Sequence, residues 1–353
     1  MSCHGPVAMR NALSFGGKRE MLAQGLRWSG ASFLLSQLPS QDLLLVLTYH
    51  RIGNPDGDLF DPGVFSATAD QFCDQISWLK RHHSLVNLEE ALSFVSQTTG
   101  ECKSRCRVLI TFDDGYLDNY EIAYPILRSH GVQAVFFLAT SMVGSCHLPW
   151  WDRIAYLMKT ARRRQFSINH PVRLAVDIDK NGMAESLRSV LLSYKNPENS
   201  DSEPFIRELK EASMGQDPPR TMRRFLSWDE AREMSKAGMI IGSHTRSHHV
   251  LSQLDPREQY EELSTARTIL KNQLGIEVDV LAYPVGGRTS FTDQTQVAAR
   301  EAGYRAAFSF YGGINLRGKR SAYDINRIGI NNQSLRRFRV QTGVCRATGR
   351  FWP

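Results

Sequence analysis

Four short stretches concentrate side chains able to do hydrolytic chemistry. These are His50 after Tyr49, Asp113-Asp114-Gly115, the run from Gly242 to His249 that holds His244 and His248, and Tyr283-Pro284 with Gly286. His244 and His248 stand four apart, so on a helical turn their imidazoles share one face and can share a metal. A carboxylate from Asp114 completes a two-histidine, one-carboxylate site with positions left for water. Asp113 is then the spare carboxylate, placed to take a proton from that water. A bound divalent cation lowers a water's pKa toward neutrality and makes hydroxide available for attack on a carbonyl.

Each stretch taken singly has a plainer reading. Asp-Asp-Gly is commonly a turn, as is Tyr-Pro-x-Gly, and a lone His-x-x-x-His is commonly a pair on a helix surface. Tyr49 and His50 read alone as a core tyrosine and a satisfied histidine. What raises the metal-site reading is that all four fall at the ends of strands.

The elements follow from the apolar pattern. An almost wholly apolar run over 43–50 reads as a strand buried on both faces. Further strands are expected at 107–112, 134–138, 239–241, 278–283 and 305–309, with helices at 228–236, 257–274 and 293–302 between the later ones. Thr68 to Gln71 reads as a capping box opening another helix. Strands alternating with helices imply parallel βαβ units, in which chemistry gathers at the C-terminal ends of the strands. From Trp150 to about Arg224 the rhythm breaks into helical segments mixed with Asn, Ser, Asp and Pro, which reads as an insertion.

The motifs Thr111-Phe-Asp-Asp-Gly115, Ser243-His-Thr-Arg-Ser-His248 and Ala282-Tyr-Pro-Val-Gly286 resemble the polysaccharide deacetylase (NodB-homology) family of carbohydrate esterases. The resemblance spans residues 43 to about 330. It implies a distorted, incomplete (β/α) barrel of about seven strands and metal-dependent removal of acetyl groups from a glycan. By position, it implies Asp114, His244 and His248 as metal ligands, Asp113 as general base and the backbone N–H of Tyr283 as an oxyanion donor. Many members carry an arginine where Ala282 stands. Its absence resembles a branch with an early Tyr-His motif, in which the early histidine, here His50, is the general acid. Arg327 is the candidate to replace the missing arginine. The metal is expected to be zinc, with iron, cobalt and nickel also suited to the ligand set.

Trp150, Trp151 and Asp152 open the insertion, and together with Pro284 they are the expected substrate contacts. The two tryptophans suit stacking on sugar rings; alternatively they staple the insertion to the barrel, with Asp152 capping a helix. His249 reads as a neighbour of the metal ligands. His82, His83, His130, His147 and His170 read as surface or loop residues, and Cys102 and Cys106 as reduced thiols in a loop. The organisation expected is an N-terminal helical extension over 1–42, with an amphipathic helix at 21–36. A barrel follows over 43–332 with its insertion at about 150–224, then a basic tail over 333–353.

Composition narrows the function classes. The chain has 353 residues, is 42% hydrophobic and carries a net charge of +7, which is ordinary for a globular protein and excludes collagen-like and disordered classes. No window reaches the roughly 18 apolar residues of a membrane helix. The N-terminus lacks the apolar core of a signal peptide, which points to the cytoplasm. Nine of the 43 Lys and Arg residues lie in 315–353 with one acid, Asp324, so the rest of the chain is near neutral. The charge therefore argues against a nucleic-acid-binding barrel. It suits peripheral contact of the tail with an anionic membrane or an acidic glycan. Two alternatives to the deacetylase were open: a carboxylate-only glycosidase, which leaves His244 and His248 unemployed, and a non-catalytic glycan-binding protein on the same barrel.

Overall fold

The computed structural model describes residues 41–97, 106–146, 148–170, 172–195, 202–219, 221 and 223–350. The helix expected at 21–36, Cys102, His147, Phe351 and Trp352 lie outside the described residues.

One sheet organises the chain. Its strands are β1 (Leu43–Tyr49), β2 (Ser84–Leu85), β3 (Cys106–Phe112), β4 (Ala134–Leu138), β5 (Ile240–Ser243), β6 (Val280–Ala282), β7 (Ala306–Phe308), β8 (Asn315–Leu316) and β9 (Ile328–Gly329). Seven run along one path in the order β7-β6-β5-β4-β3-β1-β8, while β9 also pairs with β1 and β2 with β3. Every pairing is parallel except β1 with β8. The fold is thus the expected α/β class, a sheet curled into an incomplete barrel. The gap between β7 and β1 is crossed by residues 325–329: Ile325 bridges Phe308 on one side, and Ile328 pairs with Leu47 on the other.

Strand parity sorts the side chains. Leu44, Val46, Leu109, Val135, Phe137 and Phe308 pack inside the curl, closed below by Leu88 and Phe94 of the helix Leu88–Ser96. Leu43, Leu45, Leu47, Val108, Ile110 and Phe136 face outward against Phe72, Ile76 and Leu79 of the helix Ala69–His82. Both faces are covered, which is why β1 reads as an unbroken apolar run. The helix Ala69–His82 does open on the Thr68–Gln71 capping box.

The insertion has a core of its own. The helices Trp150–Lys159, Met183–Tyr194 and Ser202–Ser213 surround an antiparallel pair, Gln165–Ile168 with Leu174–Asp177. Ile154, Leu157, Ile168, Leu187, Val190 and Phe205 fill that core. Asp152 does not cap the first helix, because Pro149 holds the N-cap position and Asp152 lies in the first turn.

The segment expected as a basic tail is, over Leu335–Thr348, a docked helix. Phe338, Thr342 and Cys345 recur at i, i+4 and i+7 and are buried, Phe338 and Cys345 fully, within the same core as β1. The indole N–H of Trp78 donates to the Thr342 hydroxyl at 3.4 Å, and Arg339 lies over the Trp78 ring. The density of arginines hid a buried stripe of only three residues, two of them apolar. One other expectation also changes: Cys106 sits on β3, not in a loop, and burial pushes its thiol up. His83 does lie in a loop, the bend between the helix Ala69–His82 and β2, with both ring nitrogens buried and its pKa brought down to about 3, first by burial and then by Arg346 and His82.

Candidate metal and catalytic site

Parity also delivers the first site residues. His50 continues the inward series Leu44, Val46, Thr48 of β1, and Asp113 continues Leu109, Thr111 of β3; the Thr48 and Thr111 hydroxyls meet at 3.0 Å beneath them. Asp114 would point outward by the same rule. It does not, because its own backbone is left-handed (φ 72°), as is that of Gly115 (φ 78°). Aspartate tolerates this region better than most residues, so two successive carboxylates reach one site. At Gly115 a Cβ would also meet the Leu138 side chain at 2.8 Å.

His244 and His248 meet differently from the expected helical turn. Residues 244–250 form an irregular loop in which Thr245 (φ 65°) and His248 (φ 61°) are both left-handed. The loop is pinned by its own side chains. The Thr245 hydroxyl accepts the His248 N–H at 3.1 Å, and the Glu262 carboxylate accepts both the N–H and the hydroxyl of Ser247. Strained backbone concentrated at one place is characteristic of functional sites.

The resulting geometry is compact. Asp114 Oδ1 lies 3.4 Å from the Nε2 of both His244 and His248, and the three ligand atoms fall within 4.8 Å of one another. A tetrahedral ion with bonds of about 2.0–2.2 Å separates its ligands by about 3.3–3.6 Å, so the spacing of Asp114 from each histidine fits. Asp114 Oδ1 is buried without a hydrogen-bond partner, as an unfilled metal ligand would be. His244 Nδ1 stands 2.8 Å from the Ala282 carbonyl, which makes it the donor and leaves the Nε2 lone pair for the ion.

Asp113 sits beside this group. Its Oδ2 is 3.9 Å from His244 Nε2 and 4.0 Å from His50 Nε2. Its Oδ1 accepts Nη1 of Arg327 at 2.6 Å, while Arg327 Nε donates to the Ser309 carbonyl at 3.0 Å. Arg327 is fully buried and comes from the segment that crosses the barrel gap, between the rings of Phe137 and Phe310. Burial pushes the Asp113 carboxyl up. Arg327, His244 and His50 outweigh it, and the group lies below its ordinary value. Burial also opposes ionisation of Asp114, and the neighbouring His244 and His248 imidazoles outweigh it and hold that carboxyl well below the usual range. His50 is fixed through its backbone: its N–H donates to Ser66 Oγ at 3.0 Å and its carbonyl accepts Asn119 Nδ2 at 2.6 Å.

These groups floor a cavity of about 520 Å³. Its walls come from the loop Asp61–Val64 and from the insertion, through Trp150, Trp151 and the helix Met183–Tyr194 with Arg188, Leu191 and Leu192. Phe310, one residue beyond the Ser309 carbonyl, also lines it and packs edge-on against His50. Neither Phe310 nor Asp61 was singled out from the sequence; position just past a strand end is the signal that finds Phe310.

Three expected roles change. The Tyr283 N–H donates to the Phe308 carbonyl at 3.0 Å as part of the sheet ladder, so it is not free to hold an oxyanion, although Tyr283 does line the cavity. Pro284 and Asp152 are buried and do not line the cavity. The Pro284 carbonyl accepts the Gly286 N–H, and Asp152 accepts the Asp61 N–H at 3.1 Å. His249 is exposed.

Comparison with known proteins bears on the family and the fold. The family model for polysaccharide deacetylase matches residues 100–307. YxkH of Bacillus subtilis (strain 168) is 22% identical over 289 residues, covering 82% of this chain and 71% of YxkH. A poly-β-1,6-N-acetyl-D-glucosamine N-deacetylase of Staphylococcus epidermidis is 32% identical over 111 residues, 29% of this chain and 37% of that relative. Among solved structures, the Streptococcus pyogenes deacetylase PplD in complex with acetate shares the fold, with a TM-score of 0.56 at 19% identity over 86% of this chain and 99% of that one.

Proposed function

The chain belongs to the polysaccharide deacetylase family of carbohydrate deacetylases, and from that premise we propose that it removes N-acetyl groups from a glycan in a metal-dependent hydrolysis. The observation that carries the reading is the convergence of Asp114, His244 and His248 beside a separate, arginine-held Asp113. Asp114, His244 and His248 would hold the ion, with zinc the first candidate and iron, cobalt or nickel also compatible with the donor set. Once bound, such a cation supplies Lewis acidity, lowering a water's pKa toward neutrality.

The remaining work belongs to the chain. Asp113, kept ionised by Arg327, takes the proton from the attacking water. His50, whose Nε2 lies 4.0 Å from Asp113 Oδ2, gives a proton to the departing amine, which amide cleavage requires. Trp150 and Trp151 offer apolar faces at the cavity wall for a sugar ring. An N-acetylated hexosamine polymer is the proposed substrate, supported by the name of the Staphylococcus epidermidis relative. A carboxylate-only glycosidase gives the two histidines no task, and a pure binding protein needs no arginine on Asp113.

The test is acetate release from acetylated glucosamine oligomers, β-1,6-linked and β-1,4-linked, with chelator and with each metal added back. Release that collapses with chelator and returns with metal supports the reading; release indifferent to chelator refutes it.

A further inference from the structure

The two histidines of the site are oriented by different means. His244 has its Nδ1 fixed on the Ala282 carbonyl. His248 has no equivalent: its Nδ1 is buried with no hydrogen-bond partner, and its backbone is left-handed. Metal-binding histidines ordinarily have that second nitrogen held. Besides His244, the ring packed against the His248 imidazole is the Trp151 indole, with ring centroids 4.7 Å apart and planes at 58°.

Trp151 is itself tethered. Its indole N–H donates to the Tyr116 hydroxyl at 2.7 Å. The Tyr116 ring stacks on Phe225 at 4.8 Å, and its hydroxyl donates to Asp152 Oδ2 at 3.5 Å, a long bond. The other Asp152 oxygen accepts the Asp61 N–H at 3.1 Å. Trp151, Tyr116 and Asp152 are all buried. Tyr116 follows the Asp113-Asp114-Gly115 turn directly, so the chain of contacts runs from the Asp114 loop, through the first turn of the insertion, to His248.

Resting on the metal-site reading above, we propose that Trp151, held by Tyr116 and Asp152, is the positioning residue of His248, so that the insertion sets the orientation of one metal ligand. The insertion is then part of how the site assembles, and not only a wall of the substrate cavity. A mere wall residue would move KM and leave metal affinity alone.

The experiment titrates the metal-free full chain with Co²⁺ and follows the visible d–d absorption, with circular dichroism as the check on folding. Trp151→Ala is expected to weaken Co²⁺ binding by up to about 100-fold and to change the band shape; Tyr116→Phe is expected to weaken it about tenfold. Trp151→Phe keeps an aromatic face and loses the same hydrogen bond, so it should match Tyr116→Phe. If Trp151→Ala does not fold, these two milder variants decide. Folded Tyr116→Phe and Trp151→Phe proteins that bind Co²⁺ within twofold of the parent, with the same spectrum, overturn the proposal. A parent whose Co²⁺ binding is absent, or survives Asp114→Asn, overturns the metal-site reading and this proposal with it.

Discussion

Arg327 donates through Nη1 to Asp113 Oδ1 at 2.6 Å, a contact between residues 214 positions apart in the chain. The guanidinium is fully buried beside that carboxylate. It is delivered by the stretch that crosses the barrel gap, and closing that gap and fixing the carboxylate are therefore one structural event.

That pairing predicts the acid limb of the pH–rate profile. Arg327 lowers the Asp113 pKa against the opposing effect of burial. Arg327→Met should move the acid limb of kcat/KM to higher pH. It should also cost stability, roughly 3–5 kcal/mol, because Asp113 is left buried without its partner. A folded variant with an unmoved limb would show that Arg327 does not set the ionisation of the base.

His50 and the ligands should separate cleanly. His50→Ala is expected to retain the metal and lose roughly 10²–10⁴-fold in turnover. Asp114→Asn, His244→Gln and His248→Gln should lose metal and turnover together. Metal content after dialysis, measured beside acetate release, distinguishes the two patterns; unchanged turnover in His50→Ala would remove it as the acid.

Much of this was legible in the sequence, for a physical reason. Strand parity and position at apolar-run ends mark His50 and Asp113 without any tertiary information, whereas Asp114 is marked by position alone and reaches the site through its left-handed backbone. The helical turn expected for His244 and His248 was wrong, because the left-handed residues Thr245 and His248 are not glycines and give no compositional warning. The commitment of the Tyr283 N–H to Phe308 depends on strand register, which a single sequence does not carry. The strand pair Gln165–Ile168 with Leu174–Asp177 was missed because four residues are too few for a period to emerge.

The C-terminal helix changes the meaning of a truncation. Removing 333–353 takes Phe338 and Cys345 out of the main core, and Phe338→Ala alone should cost about 3–5 kcal/mol. Thermal melting checks this, and an unchanged midpoint would mean the helix is not docked. Contact with an anionic surface is better tested by Arg336→Gln, Arg337→Gln and Arg339→Gln together. These should weaken binding to phosphatidylglycerol vesicles if the helix carries that contact; equal binding would end the idea.

Asp152 predicts a pH-dependent stability of the insertion's seat. Burial raises its carboxyl from 3.8 to about 7. A raised folded-state pKa gives stability that is fully present below the unfolded value and is lost as pH rises through the folded one. The parent should therefore lose stability between about pH 4 and pH 7 relative to Asp152→Asn, read as the difference in melting temperature across that range. A pH-independent difference would show that Asp152 is not protonated in the folded state.

The central claim is hydrolysis of an acetamide at the Asp114, His244 and His248 centre with Asp113 as base. Its most direct measurement is acetate released from β-1,6-linked N-acetylglucosamine oligomers by metal-loaded protein, parent beside Asp113→Asn. The account predicts release by the parent and near-complete loss in Asp113→Asn with metal content unchanged. Equal release by the two proteins, or none from any acetylated sugar by a fully metal-loaded parent, would contradict it.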